Sequence, residues 1–134
     1  MTNTETVKDR KQNIKAEENR MESTRNFLCG YQLCVDMLDL RKYERKRAHM
    51  FDDACDCEDI LAGNEAYWRA RMYEISTLIN SMKNGREKLI LYYRYVRGES
   101  VEHIANSLGV SRRTGYRMHK KALLSASYLL DRHK

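Results

Sequence analysis

The sequence predicts an all-α protein, a long N-terminal helix followed by a small bundle that carries a helix–turn–helix. Three observations lead there. The 134 residues contain no proline and are rich in Leu, Met, Arg, Lys, Glu and Ala, which lose little by entering a helix. Apolar residues recur at steps of three and four, the spacing of one helix face. Residues 100–122 read as helix, tight turn, helix, with cations crowding the second helix.

Residues 1–20 are polar and are not expected to pack well alone. Ser23 to Met50 reads as a helix with a stripe of Phe27, Leu28, Tyr31, Cys34, Val35 and Leu38. Val7, Ile14, Met21, Leu28 and Val35 also recur every seven residues, as in one seam of a coiled coil. The companion positions Arg10, Glu17 and Thr24 are polar, and only Tyr31 and Leu38 are apolar, so the seam is complete only in its second half. It allows a homodimer through the N-terminal helix, and equally well packing onto the chain's own C-terminal helices. Arg41, Lys42, Arg45, Lys46 and Arg47 form a cationic cluster that suits DNA phosphates or a solvated helix end.

The acidic segment Asp52–Asp59 and Gly63 predict a linker over 51–63, dividing an N-terminal segment, 1–62, from the domain that carries the helix–turn–helix, 63–134. Cys29, Cys34, Cys55 and Cys57 form no Cys-x-x-Cys pair. Cys55-Asp56-Cys57 lies among carboxylates, but reduced thiols in an acidic loop explain it without a metal. No metal and no cofactor is expected. The four histidines are scattered, and no nucleophile–base set, phosphate loop or paired-carboxylate geometry is present, so the chain is not expected to be an enzyme. No apolar run approaches the length of a membrane span, and the mixed-charge N-terminus is not a secretory signal. A cytoplasmic protein is expected, without a membrane partner.

Asn64 is the expected cap of a second helix running to about Lys83, with Trp68, Met72, Ile75, Ile79 and Met82 as its apolar stripe. Asn84-Gly85 signals a turn. Arg86 to Arg97 follows as a helix with Leu89, Ile90, Tyr93 and Val96 facing inward, and with Tyr92 and Tyr95 at the edge of the core or near a phosphate.

Ser100 then caps a short helix whose apolar face is Ile104, Ala105 and Leu108. Gly109 supplies the left-handed residue that ends it, and Ser111 caps the next helix. In that helix Gly115, Met118 and Ala122 fall inside, while Arg113, Tyr116, Arg117 and Lys120 fall outside. A helix hiding small apolar residues and showing Arg, Tyr, Arg and Lys suits the major groove of DNA. The alternative is a helical hairpin with a solvated basic face. Beyond it, Leu123, Leu124, Tyr128, Leu129 and Leu130 continue an apolar face expected to dock back on the protein. Net charge is +8 over 83–134 and −2 over 1–82, so the cationic surplus belongs with this helix. Each Lys or Arg that neutralises a phosphate releases counterions and adds salt-sensitive affinity.

Val110-Ser111-Arg112, followed at the proper distance by Lys120-Lys121-Ala122-Leu123, resembles the helix–turn–helix of sigma-70 region 4. Leu89, Arg94-Tyr95, Gly98 and Ile104-Ala105 fit the same pattern. Ser-Arg-Arg-x-x-Tyr-Arg at 111–117 is similar to small phage regulators of the RinA and ArpU type. The resemblance spans about 60–130 and is strongest over 86–123. It implies a phage- or prophage-encoded, sequence-specific double-stranded DNA-binding regulator, an activator of late genes in a bacterial host cell, with RNA polymerase as a further partner. The candidate DNA-binding residues are Ser111, Arg112, Arg113, Tyr116, Arg117, Lys120 and Lys121. In sigma factors the positions matching Arg113, Tyr116 and Arg117 usually hold Glu, Arg and Gln, so the −35 preference does not carry over. Gly115 stands where that family normally has Val or Ile, which implies either a slightly soft helix or a neighbouring chain coming close at that point. Two other classes remain open, a polymerase- or protein-binding adaptor and a phage DNA-packaging recognition subunit. An exposed Trp68–Met82 stripe would favour the first, and a ring-shaped oligomer the second.

Overall fold

The computed structural model describes residues 3–51 and 58–132, and the side chains of 6–51 and 63–132 among them. Among the described residues it consists of helices joined by short turns, with no strand. Helix α1 (Asn3–Met50) is followed by α2 (Glu58–Asn80) and α3 (Gly85–Leu91). A π-helical turn (Tyr92–Val96) continues α3, and α4 (Val101–Leu108) and α5 (Arg112–Arg132) complete the chain. The acidic Cys55-Asp56-Cys57 segment lies outside the described residues.

Helix α1 starts some twenty residues earlier than its apolar stripe, because nothing in 3–22 breaks a helix: neither proline nor glycine occurs there. Residues 6–19 are exposed throughout, including Val7 and Ile14. From Met21 onward the expected stripe is used within the chain. Met21, Leu28 and Cys34 are buried, and Phe27 and Tyr31 pack on the core built by Ile75, Leu78 and Ile79 of α2, Met82 of the turn after it, and Ala122, Leu123 and Ala126 of α5. The Val7–Val35 seam is thus occupied internally in its apolar half.

Helix α2 corrects the expected linker. It begins at Glu58, and Gly63 and Asn64 lie inside it, so Asn64 is not a cap. Its stripe grades from half-buried Trp68 and Met72 to buried Ile75, Ile79 and Met82. Arg45 of α1 pairs with buried Glu65 of α2, and Arg41 pairs with Glu44 at 2.7 Å, so part of the 41–47 cluster is engaged in ion pairs within the chain.

Asn84 caps α3, its side chain accepting from the amides of Arg86 and Glu87 at 3.0 and 3.2 Å. The π turn then shifts the inward face: Arg97 N–H donates to the Tyr92 carbonyl at 3.1 Å, one residue beyond an α-helical bond. Leu91 and Tyr95 are buried with Ile90, whereas Leu89 is exposed and Tyr93 and Val96 are only half-buried. Gln32 of α1 donates to the Tyr95 and Val96 carbonyls, which that ending would otherwise leave open.

Candidate nucleic-acid interface

Two serines and a glycine build the turn that presents α5. The Ser100 hydroxyl accepts from the His103 amide at 3.1 Å. Gly109 takes φ 71°, and the Val110 amide reaches back to the Ala105 carbonyl at 3.0 Å. The Ser111 hydroxyl accepts from the Thr114 amide at 3.2 Å and donates to the Thr114 hydroxyl at 2.8 Å. A single helix runs from there to Arg132.

The inner face of α5 is Gly115, His119, Ala122, Leu123 and Ala126, all buried, with Met118 at its margin. A Cβ added to Gly115 would stand 2.6 Å from the Ala105 Cβ. Of the two implications of this glycine, the close neighbour is the one observed: α4 crosses α5 at this point. The C-terminal half docks as expected, with Arg20 of α1 paired to Asp131 and lying 4.7 Å from the Tyr128 ring centre. Tyr128 itself stays half-exposed.

His119 was not anticipated. Its ring lies under the outer face and is hydrogen-bonded to the Tyr95 hydroxyl at 2.8 Å. Burial, with Arg25 and Arg94 nearby, pushes the imidazole down to about 4. Burial pushes the Tyr95 phenol up to about 12, helped by Cys29 and opposed by Arg94 and Arg25. The spacing 115, 119, 122, 126 places residue 119 on the inner face, so a helical wheel alone shows it.

All seven candidate residues, Ser111, Arg112, Arg113, Tyr116, Arg117, Lys120 and Lys121, are exposed. They divide into two groups. Arg112 pairs with Glu102 of α4 at 3.2 Å, and the Tyr116 hydroxyl donates to the same carboxylate. The hydrogen bond from Tyr116, with the charges of Arg112 and Arg94, holds the Glu102 carboxyl below its ordinary range. Among the described residues, Arg113, Arg117, Lys120 and Lys121 enter none of the ion pairs. Arg113, Arg117 and Lys120 lie at i, i+4 and i+7 on the side opposite Gly115 and Ala122, and Lys121 borders them.

Glu102 is a residue that sequence reasoning missed, because only the folded hairpin brings α4 beside Arg112. Replacing it with glutamine removes a negative charge from a cationic face and releases two side chains. The expected result is tighter binding to random duplex DNA together with weaker discrimination between a selected site and random sequence. Competition titrations at two salt concentrations measure both, and unchanged discrimination would show that the clamp does not orient the reading face.

Residues 84–125, about a third of the chain, match the family model of sigma-70, region 4, a DNA-binding helix–turn–helix domain. The match contains α3, the π turn, α4 and the first two-thirds of α5. No curated protein and no solved structure matches the chain. No helix among the described residues is long and apolar enough to cross a membrane, and no group of three His, Cys, Asp or Glu among them could hold a metal ion.

Proposed function

We propose that this protein is a sequence-specific double-stranded DNA-binding transcription regulator, a phage-type activator of late genes. The observation that carries the reading is the cationic face of α5, set opposite a buried face of small residues within a sigma-70 region 4 match. An α-helix of this kind enters a major groove with its first turns against base edges. Arg113 and Arg117 are assigned to base edges, since a guanidinium can reach guanine O6 and N7 with two hydrogen bonds. Ser111, Lys120 and Lys121 are assigned to phosphates, which position the helix without choosing sequence. Arg112 reaches a phosphate from its pair with Glu102, and Tyr116 lies against a sugar or a thymine methyl. In this reading the protein is no enzyme and requires no cofactor.

Arg117→Ala tests the assignment on a site obtained by selection from random duplexes. The expected loss is about 1–3 kcal/mol, concentrated at one base pair. An equal loss on every sequence would move Arg117 to the backbone, and failure of the parent protein to bind duplex DNA in dilute buffer would remove the reading altogether. RNA polymerase is a compatible partner of such a domain. The adaptor alternative gains nothing from the α2 stripe, because Ile75, Ile79 and Met82 are consumed in the core.

A further inference from the structure

Helix α1 carries a second apolar stripe on the side away from the core. Between Arg20 and Met50 the buried and half-buried residues centre on Phe27, Cys34, Leu38, Arg41 and Arg45. Half a turn round the helix, at steps of three and four, lie Cys29, Leu33, Asp36, Leu40, Tyr43, Arg47 and Met50, all exposed. Four of these are large hydrophobics, with 54% of Leu33, 44% of Leu40, 63% of Tyr43 and 78% of Met50 open to solvent. These four recur at steps of seven, three and seven over about 26 Å, with Asp36 and Arg47 filling the two intervening positions, the heptad spacing of a helix-pair seam that carries one acid and one base.

The order of residues along the seam fits its own reverse. If two copies run antiparallel about a two-fold axis between Arg41 and Lys42, Leu40 meets the second copy's Tyr43, and Leu33 meets its Met50. Asp36 then meets Arg47, a pairing of opposite charges. One step outside the seam, exposed Asp39 faces exposed Lys46 of the other copy, again opposite in sign. Among the described residues, Asp36, Asp39, Lys46 and Arg47 enter none of the ion pairs within the chain. A parallel pairing in register would instead set Asp36 against Asp36 and Arg47 against Arg47, both repulsive.

We infer that a second copy of this chain covers the outer face of α1 as an antiparallel helix pair over residues 33–50. This face is opposite to the Val7–Val35 seam, whose apolar half the core already occupies. Each layer of the pairing is apolar or opposite in charge, so every contact favours the same register.

Sedimentation equilibrium of the full chain under reducing conditions tests the inference. The parent protein is expected to dimerise. Asp36→Arg and Arg47→Asp are each expected to weaken the dimer by roughly tenfold or more, because each brings like charges together twice across the two-fold. The double variant Asp36→Arg/Arg47→Asp is expected to restore it. All four positions altered or paired here are on the surface, and circular dichroism verifies that the helices persist. A monomer at every accessible concentration overturns the inference, as does a dimer indifferent to both reversals. Rapid formation of a Cys29–Cys29 disulfide between chains on mild oxidation also overturns it, because the antiparallel register separates those cysteines by about 37 Å.

Discussion

Gly115→Val is expected to lower the unfolding free energy by about 2 kcal/mol, within the usual range for forcing extra carbons into a filled contact. The cause is local. The first added carbon already stands 2.6 Å from the Ala105 Cβ, and Ala105 is itself buried beside Val101 and Ile104. The two valine methyls have no exit, so α4 and α5 must separate. Gly115→Ala sets two opposing effects against each other. It gains about 1 kcal/mol of helix propensity and meets the same contact. Adding Ala105→Gly removes the obstruction, so the swapped pair Ala105→Gly/Gly115→Ala should recover most of the parent stability. Urea unfolding of the four proteins decides the matter. A Gly115→Val protein as stable as its parent would remove the close crossing of α4 and α5. Gly115 thus sets a closer approach of α4 to α5 than a branched side chain at that position would allow.

Acidification should weaken the fold through His119. An unfolded histidine takes up a proton near pH 6.5, whereas the folded ring, buried against Tyr95 and close to Arg25 and Arg94, resists protonation down to about 4. Between those values the unfolded chain binds the proton that the folded chain refuses. Stability is therefore full above pH 6.5, falls as the pH drops, and stops falling from this cause below about 4. The full difference amounts to about 3 kcal/mol. Denaturant unfolding at pH 7.5 and 4.5 measures most of it, with His119→Gln as the reference that subtracts the carboxylates. If parent and variant lose the same stability across that interval, the imidazole is not held neutral by the fold. Because His119 lies three residues from Tyr116 and next to Lys120, the same titration should loosen the N-terminal half of α5 before the rest.

How much of this was legible depends on where the determining interactions lie. The α4–turn–α5 unit could be read from Ser100, Gly109 and Ser111 because caps and left-handed residues act on their own neighbours. The seven candidate residues came out exposed for the same reason: helical spacing alone separates them from Gly115 and Ala122. The inward face of α3 was misplaced, since an α-helical wheel cannot foresee the extra residue inserted at Tyr92–Val96, which brings in Leu91 and Tyr95 and leaves Leu89 outside. The start of α2 was missed because Gly63 and Asn64 resemble loop residues, yet the segment lies on α1, where Arg45 pairs with Glu65 and the tertiary contacts outweigh local preference. Glu102 beside Arg112, and Tyr95 beside His119, depend on the crossing of helices and leave no mark in local spacing. Residues 6–19 stay exposed, as their polarity predicts, yet a polar stretch without breakers is helical where a packed helix continues it.

At 1.5 Å per residue the 48 residues of α1 make a shaft of about 72 Å, and no joint interrupts it between the open end and the core. Whatever fastens to Val7 or Ile14 is therefore geared to the core on which α5 packs. One residue inserted near Lys15 would turn such a cargo through 100°, whereas seven would bring it back to within about 20° of its first bearing. Along that shaft, angular phase governs as strictly as reach.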